Sequence, residues 1–364
     1  MKKLSMLLVL ALVLSLLAGC AGTPVIYYTD CTCPTGSHNT PVETKPVETK
    51  PAETTAPVEG ALKTGLAIVA SAGESASAGE KDGEAKYDVT VVAVLVDDNG
   101  VIVDCILDSI GTSVKFDTTG AITSDLSAAV LTKNELGDAY NMKTWGGAIA
   151  EWYEQAAALA DFAVGKTIEE LKSGAIDASG YAPDGSDLRS SATIYLGGYV
   201  SAIEAAVASA QHLGAQGGDE LKLAITASVA SSAAATAEKA GTAQLDVDAA
   251  AVTVKGDVIT SCFIDSLQGK VSFDATGAIG DVSAPLQTKN QLGDAYNMKT
   301  WGGAIAEWNE QAASFCAYIT GKTLAEVQGI AVDAGTKPTD ADLTSSVTIA
   351  IGGFQALIAK ALQQ

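Results

Sequence analysis

LGDAYNMKTWGGAIAEW occupies Leu136–Trp152 and recurs letter for letter at Leu292–Trp308. The identity sits inside a longer parallel. FDTTGAI at Phe116–Ile122 precedes the first copy and FDATGAI at Phe273–Ile279 the second. DLRSSATIYLGG at Asp187–Gly198 follows the first, and DLTSSVTIAIGG at Asp342–Gly353 the second. Self-similarity on this scale means one structural unit used twice, with boundaries near Ala61–Ala210 and Gly217–Gln364.

Patterning inside the first unit indicates the elements. Two β-branched runs, Val89–Val96 and Val101–Asp108, flank Asp97-Asp98-Asn99-Gly100. They predict a β-hairpin whose Asn-Gly step takes positive φ at both central positions. Lys115–Ile122 reads as a further strand and turn. Trp145, Ala148, Ile149, Trp152, Ala156 and Leu159 recur at helical spacing, as do Trp301, Ile305, Trp308, Ala312 and Phe315. This predicts one helix with both tryptophans and Ile149 on its buried face, and Glu151, Glu154 and Gln155 turned outward. Gly146 and Gly147 allow close approach near its start. Gly165 and Gly321 stop the helix, and Thr167-x-x-Glu170 and Thr323-x-x-Glu326 are capping boxes for a short successor. Ala-rich helices close the units, at Ile194–Ala210 and Ile349–Leu362. The expected fold class is α+β: two homologous repeats, each an antiparallel sheet packed with helices.

Ahead of the repeats, Lys2-Lys3 and the apolar run Leu4–Leu17 form an export signal over residues 1–19. PVETKPVETKPAETTAPVEG at Pro41–Gly60 is a Pro/Thr/Glu near-repeat, so residues 20–60 read as a disordered tether. At about 3.1 Å per residue it reaches on the order of 100 Å. No other apolar run approaches the ~20 residues that span a bilayer.

Charge and composition exclude several functions. The chain carries 43 acidic and 22 basic residues, a net charge of −21, which repels nucleic-acid backbones and anionic lipid surfaces. Its two histidines, His38 and His212, fall in the tether and the inter-repeat linker. No Ser-His-Asp triad or His-ligated metal set follows from such placement. Carboxylates are plentiful, but nothing singles out an acid–base pair. Cys105 and Cys262 hold matching apolar strand positions, and Cys316 has Ala160 as its counterpart; all three read as buried free thiols. Cys31 and Cys33 lie in the tether. GKT at Gly165–Thr167 and Gly321–Thr323 lacks the upstream glycine of a phosphate-binding loop, with Ala160 and Cys316 standing there.

The hydroxyl-rich stretch before each closing helix admits two readings. Ser and Thr there can cap the helix N-terminus, or the free N–H groups and the helix dipole can hold a phosphate or carboxylate.

Resemblance adds to this. Leu17-Ala18-Gly19-Cys20 resembles the bacterial lipobox, which implies diacylation of Cys20 and anchoring to the outer face of the cell membrane. Asp187-x-x-Ser190-x-Ala192-Thr193 and Asp342-x-x-Ser345-x-Val347-Thr348 resemble the D-x-x-[ST]-G-A-T signature of FMN-binding domains. That family implies FMN attached by a phosphoester to Thr193 and Thr348, placed there by a flavin transferase. Ser191 and Ser346 replace the signature's glycine, and Val347 its alanine. The whole run of lipobox, tether and two repeats is similar to the pheromone-encoding lipoproteins of Gram-positive bacteria. The implied role is relay of electrons from a membrane quinol-oxidising donor to extracellular acceptors, the cofactor carrying the redox chemistry. LVLSLLAG at Leu12–Gly19 resembles the peptide pheromones released from such signals. Arg189, the chain's single arginine, is then a phosphate partner in the first repeat, with Thr344 in its place in the second. Tyr140, Met142 and Trp145, and their equivalents Tyr296, Met298 and Trp301, become the wall of the flavin site. The alternative is a non-redox ligand-binding or structural surface lipoprotein, with or without pheromone release.

Overall fold

Eight residues in succession, Val89–Val96, are buried or nearly so, because the strand that carries them is covered on both faces. Tyr87, Val89, Val91, Ala93 and Leu95 point to one core, and Val92, Val94 and Val96 to another. The same parity divides Leu245, Val247, Ala249 and Ala251 from Ala250, Val252 and Val254 in the second half. A period of two with apolar residues in both phases requires a layer on each side of the sheet.

The computed structural model describes residues 60–363. The expected export signal, Cys20, Cys31, Cys33, His38 and the expected tether up to residue 59 lie outside the described residues. Among those described, no helix is long and apolar enough to cross a membrane.

In the first half β1 (Lys63–Ser71), β2 (Gly83–Val96) and β3 (Ile102–Phe116) form an antiparallel sheet in the order β1-β2-β3. Then come α1 (Lys133–Leu136), a 3-10 turn at Gly137–Tyr140, α2 (Met142–Gly146), α3 (Trp152–Ala163), α4 (Ile168–Ala175), α5 (Asp187–Ser191) and α6 (Gly197–Ser209). The second half repeats the order. Its sheet is β4 (Glu220–Ser228), β5 (Gly241–Lys255) and β6 (Val258–Phe273). Its helical part is α7 (Lys289–Leu292), a 3-10 turn at Gly293–Tyr296, α8 (Met298–Gly302), α9 (Trp308–Ile319), α10 (Leu324–Gln328), α11 (Ala341–Thr344) and α12 (Gly352–Leu362). The result is α+β, with two three-stranded antiparallel sheets.

The predicted hairpin is present as β2–β3, with a different turn. Only Gly100 takes positive φ, at 81°. The Asp97 carboxylate accepts from Asn99 N and Val101 N, both at 2.8 Å, and that lock needs one left-handed residue rather than two. The capping boxes at Thr167/Glu170 and Thr323/Glu326 form as expected. Lys115–Ile122 is only partly strand: β3 ends at Phe116, and the chain turns back to bridge Phe116 with Ile122. The closing helices start at Gly197 and Gly352, three residues later than predicted. β1 has five consecutive buried residues, so no alternation marks it in the sequence; β4 is buried at Leu221 and over Leu223–Ile225.

The two halves share a core. Their sheets pack face to face, with helices on the outer faces, giving four layers. At the centre Phe116 and Phe273, equivalent residues, stack with ring centroids 4.0 Å apart and planes 3° from parallel. The contacts beside them are reciprocal. Ala235 N donates to Gly120 O at 2.9 Å, and Ala78 N donates to Gly277 O at 2.8 Å. Both glycines have positive φ, and a Cβ on Gly277 would lie 2.5 Å from Ala78 Cβ. That is why the turn after each phenylalanine reads Thr-Gly. Such self-complementary contacts are those of a two-fold interface built within one chain. Tyr87 OH to Ala243 O (2.8 Å) and the Glu135–Lys360 ion pair (2.6 Å) tie the halves further.

Candidate functional site

The duplicated block does not form the single helix that its spacing predicts. α2 ends at Gly147, which takes left-handed φ of 62°, and a new helix begins only at Trp152, capped by Glu151. The break resets the helical phase. Trp152 turns inward and is 1% exposed, whereas Trp145 is 83% and Ile149 53% exposed. The second copy repeats this, with Trp308 at 6%, Trp301 at 85% and Ile305 at 54%. The three residues therefore share no face. A Cβ on Gly146 or Gly147 would meet nothing within 4 Å, so close packing does not account for the glycines. Gly147 supplies the left-handed turn, and Gly146 borders open space. Each half thus presents an exposed Trp–Gly-Gly–Ile platform, with the half-buried Met142 and the more exposed Tyr140 beside it.

Glu151 and Gln155, expected to face solvent, are instead buried; only Glu154 is exposed as predicted. Burial of a polar group requires partners, and both have them. The Glu151 carboxylate accepts from Met142 N (2.7 Å) and Lys143 N (3.1 Å), the free N–H groups that open α2. Gln155 Nε2 donates to Ala150 O at 2.8 Å and lies 3.7 Å from Met142 Sδ. Gln155 Oε1 accepts from Thr193 N (2.8 Å) and Ile194 N (3.2 Å), with Thr193 Oγ1 at 3.4 Å. Glu307 and Gln311 reproduce the bonds to nitrogen and oxygen with Met298, Lys299, Ala306, Thr348 and Ile349, each distance within 0.1 Å. One buried glutamine thus joins the platform segment to the threonine loop. Gln155→Ala is expected to cost about 2 kcal/mol, because it strands two backbone donors. Urea unfolding of the variant against the parent checks this.

Thr193 and Thr348 are half-buried and outside any helix or strand, two residues after α5 and four after α11. The loop hydroxyls do not cap the closing helices. α6 and α12 begin after Leu196 and Ile351, neither of which makes a side-chain capping bond. Ser186 and Asp340 cap the short helices instead, while the Ser190 and Ser345 hydroxyls donate to Asp187 O and Asp342 O. Capping therefore leaves Thr193 unexplained. Arg189 Nε lies 3.6 Å from Asp184, and its guanidinium sits over Tyr181 at 5.7 Å. Its Nη1 is buried without a hydrogen-bond partner. The second half lacks this group, with Thr344, Lys337 and Ala350 standing where the first has Arg189, Tyr181 and Tyr195.

One pair of residues escaped the sequence reading. Lys133, the first residue of α1, is 6% exposed, and its Nζ lies 5.2 Å from the Tyr140 ring centroid and 5.0 Å from that of Trp152. Lys289 sits likewise, 5.5 Å from Tyr296 and 4.8 Å from Trp308. At the start of a capping box each lysine reads as a solvated charge. The only signal was TKN, repeated at Thr132–Asn134 and Thr288–Asn290. Burial pushes the Lys133 ammonium down to about 8, opposed by Asp88 and Asp108. Burial lowers Lys289 too.

This has a consequence for stability. The unfolded chain holds the Lys133 proton up to its ordinary value of 10.5, and the folded chain releases it near 8. Between these values the unfolded state binds more protons, so stability rises with pH and falls as pH drops towards 8. A rise of about 2 kcal/mol between pH 8 and 10 is expected from this residue, with Lys133→Met flattening the slope. Denaturant titrations across that range provide the check.

Comparison with known protein families, with curated proteins and with solved structures gives no match to this chain.

Proposed function

We propose that the chain is an extracytoplasmic lipoprotein, anchored through Cys20, that carries FMN esterified to Thr193 and Thr348 in two homologous repeats. In this role it relays electrons from a membrane quinol-oxidising donor to extracellular acceptors. One observation carries the reading. Each half holds a threonine of a signature-like loop and an exposed Trp–Gly-Gly–Ile platform on the same buried glutamine, with the same geometry. Exposed tryptophan retained identically in both copies has no packing explanation and suits contact with a planar aromatic ligand.

The residues of the first half fit the group. Arg189 Nη1 is a buried donor without a partner, four residues before Thr193, and suits a phosphate oxygen. Gln155 holds the Thr193 backbone, leaving the hydroxyl to accept the phosphoryl bond from a flavin transferase. Trp145, Tyr140 and Met142 are the residues for the ring, and Lys133 beneath Tyr140 contributes positive charge at neutral pH. When bound, FMN supplies the electron-carrying chemistry; the chain supplies attachment, charge and partial exclusion of water. The fit is thinner in the second half, where Thr344 replaces the arginine and backbone N–H groups are left to hold the phosphate.

Co-expression with a flavin transferase tests the proposal. The purified chain is expected to be yellow, with a mass increased by FMN less water at each modified threonine; an unmodified, colourless chain overturns it. That outcome would favour the non-redox surface lipoprotein, which the departures at Ser191, Ser346 and Val347 support. A search of culture medium for LVLSLLAG tests pheromone release separately. In the flavinylated protein, Trp145→Ala with Trp301→Ala is expected to shift flavin emission while stability stays within about 0.5 kcal/mol. A large loss of stability would return the platform to a packing role.

A further inference from the structure

The second half carries a thiol pair that the first half lacks. Cys262 on β6 and Cys316 on α9 are buried, and their Sγ atoms lie 3.0 Å apart. In the first half the same positions hold Cys105 and Ala160, so a single thiol faces a methyl group. Both cysteines line a cavity of about 490 Å³ whose wall also includes His212, Phe263, Asn309 and Ala313. Asn309 Oδ1 is buried there without a hydrogen-bond partner. It offers an acceptor to an ammonium or amide group of an incoming molecule.

We propose that Cys262 and Cys316 form a reversible redox dithiol, oxidised by low-molecular-weight disulfides that enter this cavity. A disulfide needs sulfurs about 2 Å apart, so closing the pair takes a shift of about 1 Å between a strand and the helix packed on it. Burial raises the Cys262 thiol above its ordinary value, and Cys316 is the more exposed of the two, so Cys316 attacks first. Its thiolate attacks one sulfur of the small disulfide, forming a mixed disulfide and releasing one thiolate. Cys262 then attacks Cys316 Sγ and releases the second. The protein loses two electrons and two protons, and the reagent leaves as two thiols. The new bond pins α9, which carries Gln311 and follows Glu307, to β6. The first half, with Ala160, has no such device. This inference does not depend on the flavin reading.

The test uses the full chain, reduced, desalted and incubated with cystamine. At the peptides that carry Cys262 and Cys316, read apart from Cys20, Cys31 and Cys33, the combined mass is expected to fall by about 2 Da, the two hydrogens lost on closure. A tryptic map should link Gly256–Lys270 to Thr300–Lys322, and the bridge should reverse with reductant. The thermal midpoint should rise by about 5 °C, as for closure of a long loop, and amide exchange along α9 should slow. Cys316→Ala imports the residue that the first half already uses, so it should fold and lose all four effects. Separate alkylation of both cysteines after cystamine treatment, or cystamine adducts that persist without a Cys262–Cys316 link, would overturn the proposal. A link that forms without slowing exchange in α9 would overturn its effect on the helix.

Discussion

Replacing Thr193 and Thr348 together by alanine is expected to remove all covalent flavin and leave the fold standing. The two consequences separate because the threonine backbone, not its hydroxyl, anchors the loop. Thr193 N and Ile194 N both donate to Gln155 Oε1, at 2.8 and 3.2 Å, while Thr193 Oγ1 lies at 3.4 Å, a marginal contact. Alanine keeps both strong bonds, so stability should fall by less than about 1 kcal/mol. Intact mass after co-expression with the transferase reads the first effect, and thermal unfolding the second. Each single variant should lose one modification, and Thr193→Ser should keep a nucleophilic oxygen in place. Modification that survives in the double variant would move the attachment site elsewhere.

Phe273→Ala carries the largest expected loss of stability, about 3–5 kcal/mol, from a cavity between the two sheets. The removed ring leaves Phe116 without its stacking partner 4.0 Å away, and the core around it is continuous across both halves. The defect should therefore lower one common unfolding transition. With Trp145 and Trp301 replaced by alanine, denaturant titration followed at Trp308 in a Trp152→Phe background, and at Trp152 in a Trp308→Phe background, checks this. A first half that holds its parental midpoint while the second unfolds early would mean that the shared core does not couple them.

These expectations rest on different kinds of information. The threonine positions are proposed from a local string, DLRSSAT or DLTSSVT, on its resemblance to a signature from which Ser191, Ser346 and Val347 depart. The coupling of the halves is not local. Phe116 and Phe273 lie 157 positions apart, and their stacking follows from the packing of two sheets. The turn motif FDTTGAI shows that a glycine is required. What the glycine approaches, the alanine of the other half, is a property of the interface.

The duplicated block shows where periodicity misleads. Trp145, Ile149 and Trp152 fall at helical spacing, yet a left-handed glycine between them restarts the helix and sends two of the three to solvent. Apolar spacing records which residues could share a face on an unbroken helix; it does not register a change of phase. Glu151 and Gln155 fail in the opposite sense. Their polarity predicts exposure, and they are buried because their side chains satisfy backbone donors at Met142, Lys143, Thr193 and Ile194. Lys133 is buried for a related reason, with the Tyr140 and Trp152 rings and two carboxylates around it.

From the sequence alone come the duplication, the α+β class, the hairpin, the capping boxes and the unusual loop before each closing helix. The duplication is read by comparing two distant strings; the local elements depend on residues within about a dozen positions of one another, where backbone propensity and hydrogen-bond chemistry act directly. Tertiary structure decided which face of each element is covered, that two sheets share one core, and that in each half one glutamine joins the threonine loop to the segment that carries the exposed tryptophan. Those outcomes depend on desolvation and hydrogen-bond satisfaction between segments far apart in the chain, and both exist only once the layers have packed.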